Sequence, residues 1–164
     1  MKKFLLTLIL AFASVFNCMA QVMPVKYQGE IGFGYSIGVG TCATGRANVH
    51  TVQGAKIGDY FSAGVGTGLD YYHELSDLII PVYLNMRGYY PLAKNFIPFV
   101  SLDLGYGIGV TKAIRGHSGF VWSPSVGFRC NKFKLQVGYT SQRLSEYGFG
   151  FNMNAIQIMA GLVF

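Results

Sequence analysis

The chain has 164 residues, of which 51% are apolar, 15% aromatic and only 12% charged, with 22 glycines and a formal net charge of +6. This excludes a disordered chain and, at this length, leads one to expect a single domain. The positive excess is mild, and it falls by two if Lys2 and Lys3 are removed with a leader, so it does not point to a nucleic-acid partner.

Residues 1–20 read as such a leader. Met1-Lys2-Lys3 is a basic start, Phe4 to Phe16 is apolar, and Cys18-Met19-Ala20 before Gln21 resembles a small-residue cleavage site. The apolar run is shorter than the ~20 residues a spanning helix needs. Cys18 as a lipoprotein acceptor is the rival reading, but Val15-Phe16-Asn17 lacks the small residues expected ahead of it.

Beyond Gln21 no segment is apolar for long enough to cross a bilayer as a helix, and alternation takes over. In Gln28 to Gly40, Ile31, Phe33, Tyr35, Ile37 and Val39 alternate with Glu30, Gly32, Gly34, Ser36 and Gly38. Arg46 to Gln53 is weaker, with Ala47, Val49 and Thr51 opposing Asn48 and His50. Tyr60 to Tyr72 sets Phe61, Ala63, Val65, Thr67, Leu69 and Tyr71 against Ser62, Gly64, Gly66, Gly68 and Asp70. Ile79 to Tyr90 sets Ile80, Val82, Leu84, Met86 and Tyr90 against Tyr83, Asn85, Arg87 and Tyr89. Phe96 to Gly109 sets Val100, Leu102, Leu104, Tyr106 and Ile108 against Ser101, Asp103, Gly105 and Gly107. Gly119 to Arg129 sets Phe120, Trp122, Val126 and Phe128 against Ser123, Ser125, Gly127 and Arg129. Phe133 to Gln142 sets Phe133, Leu135, Val137 and Tyr139 against Lys134, Gln136, Gly138 and Thr140. Asn152 to Phe164 completes the set with Ile156, Ile158, Ala160 and Leu162 on one side. Eight strands are predicted, each near the ~9–11 residues of a tilted membrane strand and separated by turn residues.

The two faces differ in a way that fixes their direction. One is bulky and apolar; the other is mostly glycine and serine with isolated charges, too small to cover an exterior. The bulky face is therefore expected to meet lipid, and the small face to line a narrow interior. The predicted fold class is all-β, an eight-stranded antiparallel up-and-down transmembrane β-barrel spanning residues 21–164. Walking the strands alternately up and down puts Phe61, Tyr90, Phe96, Phe128, Phe133 and Phe164 near the lower rim, and Tyr71, Phe120, Trp122 and Tyr139 near the upper one. These are two aromatic girdles of the kind that interfacial anchoring favours.

On that walk, segments 54–59, 91–95 and 130–132 become lower, periplasmic turns, and segments 41–45, 73–78, 110–118 and 141–153 become outer loops. Cys42 and Cys130 then lie at opposite ends and are not expected to form a disulfide. A bulge is expected at Pro124, which falls in mid-strand.

The stretches Tyr60-Phe-Ser-Ala-Gly-Val-Gly-Thr-Gly-Leu-Asp-Tyr-Tyr72, Ile80-Pro-Val-Tyr-Leu-Asn-Met-Arg87, Phe99-Val-Ser-Leu-Asp-Leu-Gly-Tyr-Gly107 and Gly161-Leu-Val-Phe164 resemble the small outer-membrane β-barrel domain family of Gram-negative bacteria. The resemblance covers Gln21 to Phe164. It implies the barrel fold and the cell outer membrane, and it makes the terminal phenylalanine similar to the signal read by barrel-assembly machinery. It implies little about activity. The peptidoglycan-binding domain that follows the barrel in some relatives is not expected here.

Three constellations are candidates for function. The first is an interior polar network of Glu30, Asp70, Asn85, Arg87, Asp103, Arg129 and Lys134, in which three carboxylates face three cations. Charges in a narrow lumen must be paired or hydrated, so a plug is expected, with a proton or ion path as the alternative. The second is His73 with Glu74 and Ser76, which carry the residue types of a lipid A hydrolase without a triad's geometry. His50, His73 and His117 have no metal-like spacing. The third is the outer-loop set Lys112, Arg115, His117 and Arg143 with Glu146 and Tyr147, which suits lipopolysaccharide phosphates, a host ligand or plain solvation. The expected protein is a non-enzymatic, monomeric barrel without cofactor. Its expected partners are outer-membrane lipid and lipopolysaccharide, with the assembly machinery during insertion.

Overall fold

The structure is a computed structural model, and it describes residues 24–40, 43–73, 76–93, 95–111, 118–146 and 149–164. Eight strands follow one another: β1 (Val25–Val39), β2 (Arg46–Ile57), β3 (Phe61–Tyr72), β4 (Asp77–Tyr89), β5 (Phe96–Gly109), β6 (Ser118–Cys130), β7 (Phe133–Glu146) and β8 (Phe149–Val163). Each pairs antiparallel with the next, and β8 returns to β1, with Phe33 opposite Ala160 and Ile37 opposite Ile156. Closure leaves no unpaired edge, which is what an alternating chain without covering helices requires. The strands are 12 to 15 residues long, more than a bilayer core demands. No helix among the described residues is long and apolar enough to cross a membrane.

The faces are arranged as the alternation predicts. Phe33 is 68% exposed and Val65, Leu84, Val126 and Ile158 are exposed on the exterior, with Leu104 half-exposed beside them, whereas Gly66 and Gly107 are buried inside. All ten girdle residues are exposed on the outer surface: Phe61, Tyr71, Tyr90, Phe96, Phe120, Trp122, Phe128, Phe133, Tyr139 and Phe164. The interior is polar, apart from apolar clusters such as Tyr72, Ile79 and Met153 near the upper end.

Small lumen residues make room for large ones. A Cβ on Gly66 would strike the Tyr83 ring lying over it, and one on Gly105 would strike the main chain at Val82 and Tyr83. Gly66→Leu should therefore cost about 1–3 kcal/mol, the usual range for overpacking. It should also push Tyr83 away from His50. A denaturation midpoint equal to the parent's would show that the ring has space to move.

Several boundaries differ from the sequence reading. The second strand runs on to Ile57, so the lower turn expected at 54–59 contracts to 58–60, where Gly58 takes a φ of 60°. The expected loop 141–153 is largely strand, because β7 and β8 pair all the way to Glu146 opposite Phe149. Asp77 and Leu78 likewise belong to β4. Alternation ended at these places before the hydrogen-bond ladder did.

The bulge expected at Pro124 is not present. Trp122 pairs with Ser141 and Ser125 with Gly138 in one unbroken register, and between them the pairings of Ser123 and Pro124 with β7 drop out. The Pro124 carbonyl faces Gly138, so its hydrogen-free nitrogen faces β7 too, while Leu102 on β5 still pairs with Pro124. A missing donor removes bonds on one side without inserting a residue. Pro81 does the same to the β3 ladder between Thr67–Val82 and Asp70–Ile79.

Candidate functional site: the polar lumen

The small face of each strand delivers its polar residues to the axis, where they assemble into layers. Nearest the lower end, β1 supplies Glu30, β4 supplies Arg87 and β7 supplies Lys134. Arg87 grips Glu30 with both terminal nitrogens, at 2.7 and 3.0 Å, and Lys134 Nζ donates to the same carboxylate at 2.6 Å. All three are buried, at 5% exposure or less. The Arg87 guanidinium lies 4.7 Å from the centre of the Phe99 ring, which restricts its other face. Tyr89 accepts from Gln28 at 2.7 Å and lies 3.2 Å from the Ser62 hydroxyl.

Above this layer Asn85 donates to Asp103 at 2.5 Å, and Tyr83 and His50 meet at 2.9 Å. His50 Nε2 lies 2.9 Å from an Asp70 oxygen that also accepts from Asn48 at 2.8 Å, and Asn48 in turn accepts from Ser36 at 2.7 Å. The uppermost layer is built on Arg46, which donates to Tyr72 at 2.5 Å, Thr140 at 3.1 Å and Gln142 at 3.2 Å and stands 3.8 Å from Asp70. Such layers connect strands that are remote in sequence and hold them at fixed separation.

Glu30, Asp70, Asn85, Arg87, Asp103 and Lys134 thus all lie on the inner face, where Glu30, Arg87 and Lys134 form one cluster and Asn85 and Asp103 one pair. Arg129 is not among them. It has the inward parity, but it sits at the lower end of β6, half-exposed, and its Nε donates to the Asn131 carbonyl at 2.7 Å. Its place as the third cation is taken by Arg46, which the sequence reading left unassigned at the start of a weak strand. The signal was available: Arg46 shares the parity of Asn48 and His50. Asp77, also buried, shares that of Tyr83 and Arg87.

The void volume in these layers is small. Two lumen cavities, one beside Glu30, Ser62 and Arg87 and one beside Glu30, Tyr83 and Asp103, measure about 10 Å3 each. That is about the room of a single water molecule.

The other constellations are less complete. His73 stacks on Tyr35, with rings 5.9 Å apart, and its Nε2 lies 3.4 Å from the Tyr35 hydroxyl; Glu74 lies outside the described residues, while Ser76 is exposed with a φ of 51°. Lys112, Arg115, His117 and Tyr147 also lie outside them, as does Cys42, so the expectation about Cys42 and Cys130 falls there too. Arg143 is exposed near the upper end of β7, and Cys130 is free and exposed at the lower rim. Among the described residues no cluster of His, Cys, Asp and Glu is suited to a metal ion.

Fold and lumen together define a small eight-stranded up-and-down barrel of the transmembrane type. Solved structures of this class are similar to it. Neisserial surface protein A matches with a TM-score of 0.63 and 10% identity over 85% of this chain and 97% of that one. The outer membrane enzyme PagL matches at 0.60 and 8% identity over 80% and 97%. The N-terminal β-barrel domain of Pseudomonas aeruginosa OprF matches at 0.55 and 13% identity over 86% and 100%. The likeness is one of fold. No protein-family model and no curated protein matches the chain.

Proposed function

We propose that this protein is an outer-membrane barrel with a structural or surface-interaction role, carried out at its outer end, and that its lumen is a closed polar plug. The observation that carries this reading is the pairing inside the barrel. The buried Glu30 carboxylate is bonded to both buried cations, Arg87 and Lys134, at 2.6 to 3.0 Å, and the cavities around them have room for about one water each. An exterior with Phe33, Leu84 and Val126 more than half exposed suits hydrocarbon and not water. The fold shared with outer-membrane barrels supports the same location. The exposure of Arg143 near the upper end supports a contact with lipopolysaccharide phosphates there.

Planar-bilayer recording tests the plug. The purified barrel should give no conductance steps above background, and reproducible single-channel steps that disappear on blocking the lumen would overturn it. Because PagL is an outer membrane enzyme with this fold, the barrel alone does not exclude catalysis. Against a hydrolase stands the His73 contact, which is to Tyr35 and not to a serine among the described residues. Lipid A from cells with and without the protein should have the same mass spectrum.

A further inference from the structure

Between the girdles one strand turns a polar face outward. On β2 the exterior residues are Ala47, Val49, Thr51, Gln53 and Ala55. Gln53 and Thr51 pair with Val65 and Thr67, which on β3 lie between Phe61 of the lower girdle and Tyr71 of the upper one. Thr67 apart, the outward positions of the other strands at this depth carry neither an amide nor an aliphatic hydroxyl among the described residues. Gln53 is exposed, and half of its hydrogen-bonding capacity is used. Its Oε1 accepts from the Tyr27 hydroxyl, and its Nε2 donates at 2.8 Å to Thr51 Oγ1, which itself donates to the Glu30 carbonyl at 2.9 Å. An amide has two N–H groups and two acceptor lone pairs. One of each is left on Gln53 without a partner among the described residues, and the nearby Thr67 hydroxyl is likewise unpaired there.

Hydrocarbon supplies neither donor nor acceptor, so a polar face at this depth is completed by another protein wall. A second copy of this chain, inserted with the same orientation, presents the same amide at the same depth. Across a two-fold axis along the membrane normal, each Gln53 can donate its spare N–H to the spare lone pair of the other, and the unused capacity cancels. Small residues allow the approach: Ala55 and Ala63, paired with each other, both lie on the exterior. Beside Thr51 and Thr67 an open groove of about 380 Å3, lined by Ile31, Val49, Leu69 and Ile80, gives a facing wall room to interlock. We propose that the β2–β3 wall is the contact face of a two-fold dimer in the membrane, centred on a pair of Gln53 amides. The dimer replaces the monomer expected from the sequence, and it rests on the membrane reading above.

The test uses the full chain with Cys18→Ser and Cys42→Ser, which keeps Cys130 as its single thiol. Cys130 is free and exposed at the end of β6, the strand across the barrel from β2, so a dye there stays clear of the proposed face. Donor-labelled and acceptor-labelled barrels are mixed in phosphatidylcholine vesicles over a range of protein-to-lipid ratios. Energy transfer should exceed that of random proximity and follow a saturable dimer curve. Gln53→Leu should lower the association constant by roughly tenfold, the factor that two hydrogen bonds between membrane segments supply. Ala63→Leu, which leaves every bond of Gln53 in place, should also lower it by holding the walls apart, while Val126→Leu on the far wall should change nothing. Transfer no greater than random proximity, in protein that floats with the vesicles and shifts on gels after boiling, would overturn the dimer and leave the polar stripe to a different membrane protein. So would an association that ignores both Gln53→Leu and Ala63→Leu, or one that Val126→Leu weakens equally. Protein that does not float with the vesicles overturns the membrane reading itself, and the dimer with it.

Discussion

Replacing Glu30 with glutamine lowers the stability of the folded barrel by about 3–5 kcal/mol, the range observed when one member of a buried ion pair is removed. The carboxylate is shared by Arg87 and Lys134, so its loss leaves two cations buried with no counter-charge at bonding distance. Desolvation makes that arrangement costly whether or not the intact cluster is itself favourable relative to an apolar core. Arg87→Met is expected to cost less, because Glu30 keeps its 2.6 Å bond to Lys134. Denaturant titration in detergent micelles, read from the gel shift between folded and unfolded forms, gives both values. An unchanged midpoint for Glu30→Gln, or a larger loss for Arg87→Met, would show that shared pairing is not what holds this layer.

Leu84→Arg is expected to cost about 2–4 kcal/mol in a lipid bilayer, the depth-dependent penalty of a cation on the lipid face near mid-membrane. Leu84 is 59% exposed in the middle of β4, between Val65 of β3 and Leu104 of β5. In a water-soluble barrel the same substitution would be close to neutral, since a solvated surface accepts arginine freely. The measurement is an unfolding titration of the reconstituted protein, with Asn152→Arg, exposed near the upper end of β8, as the shallow control. Equal, near-zero costs at both positions would rule out hydrocarbon around the wall.

Most of the architecture was legible because one rule repeats along the chain. Bulky side chains recur at every second position from Ile31 to Leu162, and their opposite face is too small to be an exterior; those two facts give strand number, direction and sidedness together. The parts that were not legible share a cause. Arg46, Asp77 and the upper halves of β7 and β8 lie where the apolar beat stops but pairing continues, and backbone hydrogen bonding leaves no trace in side-chain type. Arg129 shows the opposite error: parity places a residue on a face, but depth along the strand decides whether it meets the lumen or the rim. At Pro124 the missing donor was visible in the sequence, whereas the direction of its nitrogen, toward β7 and away from β5, needed the register.

The Glu30 cluster joins β1, β4 and β7, whose charged residues are 57 and 104 positions apart. Lys134 sits on the neighbour of the strand that seals the cylinder, so the three charges can meet only after the last seam has zipped. A latch that engages at that stage contributes nothing to the barrier for entering the membrane and everything to the barrier for coming apart again. Once shut, the cylinder is therefore expected to open slowly.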